Sequence, residues 1–218
     1  MNWSLLRLAP WLDTRARFVA GTPRNGSLLD LGSSDGGTLR HFAELRPDLQ
    51  YFAADLAGQP AAYPGGCQFH RADLQKERLP WPDASMDAVT CMHLVEHLHD
   101  LTLLINETAR LLKPGGRVYV ETPHPRSLNV TSSRNQNDVH FTLNFYDDPT
   151  HIRVVTITIL ETEFRRAGLS ITGSGVSRNW LFAASWPIYA WMHPSRQKYT
   201  AYVHWLGWSA WIAGRRQT

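Results

Sequence analysis

A glycine-rich turn near the start of the sequence is the clearest sign of ligand chemistry. It follows the apolar run at 27–31, and Gly32 and Gly36 stand at its two ends. A turn of this kind lets the backbone approach a ligand closely, and an acidic residue after the next strand can bind two ribose hydroxyls. Asp55, 19 residues after Gly36, supplies such a carboxylate. Taken alone, the pattern is typical both of a nucleotide site and of an ordinary tight turn.

Histidines form the second set of residues with chemical potential. His93, Glu96 and His97 follow the apolar run at 86–92. Their His-x-x-Glu-His spacing matches the inverted zinc-protease motif, and two histidines four residues apart on a helix can share a metal ion. The sequence shows no distal helix that would supply the further glutamate, so proteolysis is disfavoured.

The segment 122–151 contributes two more histidines. It is rich in Pro, Asn, Ser and Asp and reads as a loop of about 30 residues, a length typical of lids and binding segments. His124 lies between two prolines, and His151 ends the sequence Asp-Asp-Pro-Thr-His. Histidine is suited to accept a proton near neutral pH, although a loop histidine that only bonds the backbone is the alternative for each.

The elements that must position these residues alternate between short apolar runs and helical patterns. Such alternation predicts an α/β protein with crossover helices and a mostly parallel sheet. The predicted strands are 27–31, 49–54, 67–70, 86–92, 117–121, 169–173 and 205–214. The predicted helices are 38–45, 95–112, 154–167 and 186–203.

Composition sets further bounds. The 218 residues, 43% of them hydrophobic, predict one folded domain rather than a disordered chain. Two cysteines cannot form a disulfide framework, and charged residues interrupt the amino-terminal segment before a signal peptide could form, so we expect a cytoplasmic protein. The net charge is +3, but no Asp or Glu follows Glu163, so the segment 164–218 carries +7 and also six of the nine tryptophans.

Six motifs in order resemble class I S-adenosylmethionine-dependent methyltransferases, in particular the small-molecule group (types 11 and 23) that includes quinone-biosynthesis enzymes. The resemblance covers roughly 27–169, and its departure is Ser34, where the family usually has glycine. The motifs are Asp30-Leu-Gly32-Ser-Ser34-Asp-Gly36, Asp55-Leu56, Ala72-Asp73-Leu74, residues 79–90, His93-Leu-Val-Glu96-His97-Leu98 and residues 111–117.

The resemblance implies the architecture. It implies a Rossmann-like α/β fold, with a seven-stranded, mostly parallel sheet, an antiparallel last strand and helices on both faces. One methyltransferase domain would span 1–218, with a helical amino-terminal segment at 1–26. Within it, 27–121 would form the cofactor-binding half, and 122–218 would supply the acceptor loop and the last helices and strands.

The resemblance also implies S-adenosyl-L-methionine as the cofactor and assigns its contacts. Around its methionine portion, Gly32, Ser34 and Gly36 would shape the loop and Asp30 would hold the amino group. Asp55 would bind the ribose hydroxyls. The remaining cofactor residues would be those beside adenine, Leu56, Asp73 and Leu74, and those near the sulfonium, Met92 and His93.

The expected reaction is methyl transfer to the O, N or C atom of a small-molecule acceptor, which is sugar- or lipid-linked in one version of the hypothesis. A general base contributes about 10²- to 10⁴-fold, and the catalytic candidates are His151 first, then His124 or His93. Some quinone-type relatives bind a divalent cation through a Glu/His cluster that His93, Glu96 and His97 resemble. We expect a structural cluster and no metal here.

Other functions and partners are weighed against this one. The alternatives are a non-catalytic binding module that keeps the cofactor fold, and an RNA methyltransferase. The motif set disfavours an NAD-dependent dehydrogenase, and DNA amino-methylation motifs are absent from the sequence. The oligomeric state stays open.

The Trp-rich, basic segment 164–218 has three interpretations. Its tryptophans and tyrosines at 186, 189, 205, 208 and 211 would fill the core behind the last strands. Alternatively, the segment would line an acceptor channel or form a peripheral membrane contact, because Trp with Lys and Arg suits anionic headgroups. Contact with RNA is the third interpretation, and we expect it to be the least favoured.

Overall fold

The computed structural model describes residues 3–132 and 141–217, and these contain one seven-stranded sheet. Its order is β3-β2-β1-β4-β5-β7-β6, and its pairs are parallel except that β7 runs antiparallel to β5 and β6. This confirms the Rossmann-like α/β fold. The strands are β1 Ser27–Leu31, β2 Gln50–Asp55, β3 Gln68–Arg71, β4 Met86–Met92, β5 Leu112–Pro123, β6 Leu169–Ser177 and β7 Ser209–Arg216.

Helices cover both faces of the sheet. They are α1 Thr14–Ala20, α2 Gly37–Leu45, α3 Thr102–Leu111, α4 Ile157–Arg166, α5 Trp180–Tyr189 and α6 Arg196–Leu206. Side chains alternate along each strand, so Val118 and Val120 of β5 join the core formed with α3 and α4. Tyr119 between them joins the second core, formed with α1 and α2.

The amino-terminal segment is tied to the far end of the sheet through one capping pair. Asp13 caps α1 by accepting from the backbone N–H groups of Arg15 and Ala16. Asn179, which caps α5, donates its side-chain amide to the other oxygen of Asp13 at 2.9 Å. This pair fixes α1, and with it Arg15, beside the end of β6.

Two predicted helices differ from the structure. The predicted helix at 186–203 is wrong, because two helices, α5 and α6, meet here in a hairpin. Pro194 disfavours helical backbone in the residue before it, and Ser195 starts α6 by accepting from the N–H of Lys198. The predicted helix at 95–112 begins only at Thr102, and Val95–His97 forms a separate 3-10 turn.

The tryptophans of the segment 164–218 divide between core and surface. Trp208 is buried and Trp211 stacks on Tyr119 with ring centroids 5.7 Å apart, as a core role requires. Trp205 is 51% exposed, so the predicted core role is wrong for this residue. Within the described part of the chain, we find no helix with the length and apolar character needed to cross a membrane.

Candidate active site

The glycine-rich turn between β1 and α2 adopts left-handed backbone at three positions. Gly32 and Gly36 have φ of +73° and +71°, and Ser34 has φ of +47°. A Cβ atom on Gly36 would lie 2.7 Å from the carbonyl oxygen of Ala62, so this position requires glycine. Ser34 therefore replaces the expected glycine while keeping a left-handed conformation.

Asp55 at the end of β2 holds the turn in place. Its carboxylate accepts from the backbone N–H of Ser34 and from that of Ala57, both at 2.8 Å. Asp55 and Ser34 both line a cavity of about 410 Å³ beside the turn. Asp55, the residue predicted to bind the ribose hydroxyls, thus faces a cavity next to the glycine turn.

A larger cavity, of about 610 Å³, lies at the carboxyl ends of β1 and β4. Gly32 and Met92 line it, as do His93 and His151, and it shares Ser34 with the smaller cavity. Open α/β sheets bind their ligands at this edge. The two cavities join the predicted cofactor loop to two of the three predicted catalytic histidines.

Asp30, in the strand before the turn, is a buried carboxyl group. It is 1% exposed and accepts a 2.6 Å hydrogen bond from the hydroxyl of Thr90. Burial raises its pKa to about 7, an effect that the hydrogen bond from Thr90 only partly offsets. Near neutral pH the carboxyl is therefore poised to lose its proton when a cation binds nearby.

Glu121 near the end of β5 is the centre of a buried charge network. The guanidinium of Arg15 donates to both of its carboxylate oxygens, and the hydroxyl of Tyr119 donates at 2.9 Å. Burial opposes ionisation, but Arg15 and His93 outweigh it and hold the pKa of Glu121 well below its usual range. The network links α1, β4 and β5, and two of its members, Arg15 and His93, line the larger cavity.

His93 belongs to this network and does not fit the role of a base. Its Nδ1 lies 3.2 Å from Glu96 Oε1, and its Nε2 lies 3.3 Å from Glu121 Oε1. Burial favours the neutral ring, yet the two carboxylates outweigh it and raise the pKa of His93 to about 9. At neutral pH both ring nitrogens therefore donate, and no lone pair is left to accept a proton.

His151 has the geometry that His93 lacks. Its side chain is 4% exposed, and its Nδ1–H donates to the carbonyl oxygen of Phe145 at 2.6 Å. A neutral ring in this tautomer keeps the lone pair on Nε2, which lies 4.0 Å from Glu96 Oε1. His151 lines the larger cavity, so it is a candidate general base there.

His124 is not one of the described residues that line the larger cavity. Its Nδ1 accepts from the backbone N–H of Arg126 at 3.1 Å, which caps the 3-10 turn Pro125–Asn129. The proton of the neutral ring then sits on Nε2, so the available lone pair is already used. The site arrangement favours His151 over both other predicted histidines.

The residues predicted beside adenine lie outside the described linings of the two cavities. Leu56 is exposed next to Asp55 and is free to pack on a ligand. Asp73 pairs with Lys76 at 2.9 Å, and Leu74 is buried in the core with α3 and α4. Their contacts with adenine stay predictions.

Glu96, His97 and His151 are the described residues whose donor atoms come together as metal ligands could. These atoms lie within 4.8 Å of one another. His151 occupies the position in this cluster that was predicted for His93, whose two ring nitrogens face carboxylates. His97 Nδ1 faces the carbonyl oxygen of Thr150 at 3.1 Å, so its Nε2 carries the lone pair.

Sequence reasoning missed Arg15 and His204, which line the larger cavity, and Glu121, which binds the lining residues Arg15 and His93. Glu121 is the last residue of a predicted strand, and ligands bind at the carboxyl ends of strands in open α/β sheets. That position could have identified Glu121 as a site residue. His204 accepts from the N–H of Asn179 at its Nδ1, and burial first, then nearby Arg15, lowers its pKa to about 4. The neutral ring of His204 presents its Nε2–H as a donor to the cavity. No local sequence motif predicts this role.

Comparison with known proteins agrees with this geometry. A family model described as a methyltransferase domain matches residues 5–173. Demethylmenaquinone methyltransferase of Deinococcus radiodurans is 36% identical over 121 residues, 51% of this chain and 48% of that protein. Ubiquinone biosynthesis O-methyltransferase of Xanthomonas axonopodis pv. citri is 34% identical over 107 residues, 46% of this chain and 44% of that protein. The matches span about half the length of these relatives.

Solved structures share the fold. An S-adenosylmethionine-dependent methyltransferase from Mesorhizobium loti has a TM-score of 0.67 at 18% identity, covering 96% of this chain and 98% of that one. Geranyl diphosphate C-methyltransferase of Streptomyces coelicolor, solved with S-adenosyl-L-homocysteine, has a TM-score of 0.58 at 17% identity, covering 93% and 79%. The family model matches most of the length of this chain. The chain therefore belongs to the class I S-adenosylmethionine-dependent methyltransferases.

Proposed function

We propose that this chain binds S-adenosyl-L-methionine and transfers its methyl group to a small-molecule acceptor. The observation that carries the proposal is that Ser34 lines both cavities, so the cavity of Asp55 and the cavity of His151 adjoin the same glycine turn. The cofactor's adenosine portion would lie by Asp55 and its methionine portion by Gly32, with the acceptor in the larger cavity. The residues fit this cofactor, because a carboxylate and a left-handed glycine turn border two cavities that share Ser34.

The bound cofactor supplies an electrophilic methyl group on a sulfonium. The chain's own task is to align the acceptor for in-line attack and to take up its proton. Nε2 of His151 would accept that proton from an acceptor hydroxyl. The imidazolium of His93 and the neutral His204 would act as hydrogen-bond donors at the cavity wall.

The acceptor belongs to the small molecules, methylated at O, N or C. The names of the relatives support an acceptor of the quinone-biosynthesis kind. A lipid-linked acceptor is one version of the proposal, and a sugar-linked acceptor is the other. The cavity of about 610 Å³ suits a group of drug-like size.

Release of S-adenosylhomocysteine tests the proposal. We expect turnover on at least one small molecule in a panel of catechols, quinols, sugars and amines, which is compared with short RNA transcripts. A binding module would take up the cofactor without release on any acceptor. An RNA methyltransferase would turn over the transcripts alone, and either outcome would replace our proposal.

The pH dependence of cofactor binding follows from Asp30. Its pKa of about 7 should fall when the positively charged cofactor binds, so binding releases a proton and affinity rises with pH up to just above 7. Calorimetry in buffers of different ionisation enthalpy measures this release directly. Asp30→Asn, which keeps an oxygen to accept from Thr90, should abolish both the proton release and the pH dependence. A pH dependence that persists in the variant would contradict the assignment.

A further inference from the structure

We propose that the hairpin of α5 and α6, residues 180–206, docks on the surface of an anionic lipid bilayer. The docking stands apart from methyl transfer, since it concerns the outer side of the hairpin and can be measured without cofactor or acceptor.

The exposed face of α5 is apolar, which reverses the usual pattern of a surface helix. The exposed positions recur at helical spacing along one face, and none carries a charge. They are Trp180, Leu181, Ala184, Pro187 and Ile188. Trp180 is 55% exposed and Ile188 is 71% exposed. Water contact with a whole face of this kind is costly unless another apolar medium covers it.

The opposite face of α5 is already used. Phe182 stacks on His204 with ring centroids 5.6 Å apart, and Trp186 packs on Tyr202 at 4.8 Å. Ala183 between them is buried. Contacts within the hairpin therefore account for the inner face and leave the outer one for a partner.

The tip of the hairpin combines an exposed aromatic ring with positive charge. Trp191 is 93% exposed. Close by in the chain, Lys198 donates its ammonium group to the carbonyl oxygens of Ala190 and Met192, at 2.9 and 2.7 Å, which holds a cation at the end of α5. Tryptophan beside Lys or Arg is the usual composition of protein surfaces that lie among lipid headgroups.

Charge decides between a bilayer and a second copy of this chain. The hairpin has two of the seven Lys and Arg residues of the segment 164–218, Arg196 and Lys198, begins two residues after Arg178, and has no Asp or Glu. Two copies that met through the hairpin would bring these like charges together, whereas anionic headgroups complement them. An anionic bilayer is therefore the occupant that fits both the apolar face and the charge.

The length of α5 fixes the mode of contact. Ten helical residues rise about 15 Å, half of the roughly 30 Å hydrocarbon core, so the helix would lie in the interface rather than span it. The other helix of the hairpin lines the larger cavity through Arg196, Thr200, Val203 and His204. A docked hairpin would thus place that cavity beside the bilayer; this consequence rests on the proposed function and would favour a lipid-linked acceptor.

Vesicle co-sedimentation of the full chain tests the docking. We expect binding to phosphatidylcholine vesicles that contain phosphatidylglycerol, weakening as salt is added, and little binding to phosphatidylcholine alone. The double variant Ile188→Ser/Trp191→Ser should partition at least about tenfold more weakly. Ile159→Ser, at an exposed isoleucine of α4, is the matched control and should bind as the unmodified chain does.

Three outcomes would overturn the inference. The first is no binding to phosphatidylglycerol vesicles at low salt, and the second is equal binding by the double variant and the control. The third is a dimer in sedimentation velocity that the double variant converts to a monomer, because a second copy would then cover the face. Circular dichroism checks that each variant keeps its fold, and the exposed positions make unfolding an unexpected result. Failure of methyl transfer with intact vesicle binding would leave the docking standing.

Discussion

His151→Asn should lower kcat by about 10²- to 10⁴-fold, the range that a general base contributes. The substitution removes the lone pair of Nε2 while leaving an amide that can still donate to the carbonyl oxygen of Phe145. The affinity for S-adenosyl-L-methionine should stay within about twofold, because the role of His151 lies in the transition state. Steady-state release of S-adenosylhomocysteine on an accepted substrate, together with calorimetry of cofactor binding, separates the two effects.

His124→Asn is the control for this prediction. It removes a histidine that caps a 3-10 turn and lies outside the described lining of the larger cavity, so kcat should change little. Equal losses of kcat in the two variants would show that neither histidine is the base. A loss confined to His124→Asn would reverse our assignment.

Glu121→Gln should lower the free energy of unfolding by about 1–3 kcal/mol, because it removes the charged partner of the Arg15 guanidinium, whose side chain is 27% exposed. Chemical denaturation measures the change. Removing both charges in Arg15→Met/Glu121→Met should restore much of the loss, since an apolar pair needs no counter-ion. A single variant as stable as the unmodified chain would contradict the network.

The same substitution should change the titration of His93. In the unmodified chain the pKa of His93 lies at about 9, above its ordinary 6.5, so its stabilising effect is complete below 6.5 and is lost as pH rises through about 9. The groups that face it are Glu96, Glu121 and, through Glu121, Arg15. Glu121→Gln removes one of the two carboxylates, and NMR should show the pKa of His93 moving down. The fall in stability between pH 6.5 and 9 should then shrink.

The local parts of this fold are the parts that sequence pattern predicts. The bounds of β1 and β4 are as predicted, because each is an apolar run that ends where the backbone turns left-handed, at Gly32 and at His93. The prediction of one helix over 186–203 missed the break between α5 and α6, although Pro194 and the cap residue Ser195 mark it in the sequence. Hydrophobicity also does not show whether the apolar side of a helix faces the core or the surface. In α5 the apolar residues lie on both sides, including the side exposed at the surface.

The candidate site divides in the same way. Asp55, Gly32 and Gly36 lie within contiguous motifs, so their proximity follows from one strand, one turn and the neighbouring strand. Arg15 and Glu121 lie 106 residues apart, and their pairing depends on the capping contact between Asp13 and Asn179. Sequence types alone also cannot rank the histidines, because hydrogen-bond partners decide which ring nitrogen keeps its lone pair.

Titration of the chain with S-adenosyl-L-methionine by calorimetry tests the central claim most directly. We predict saturable binding, and an affinity about 100-fold lower for Asp55→Ala, which loses hydrogen bonds to ribose that are worth about 1.5–3 kcal/mol each when made to a charged group. Asp83→Ala is the matched control, because this exposed carboxylate pairs with Arg78 and Arg110 away from both described cavities. Absence of binding, or equal affinity in all three proteins, would contradict the account.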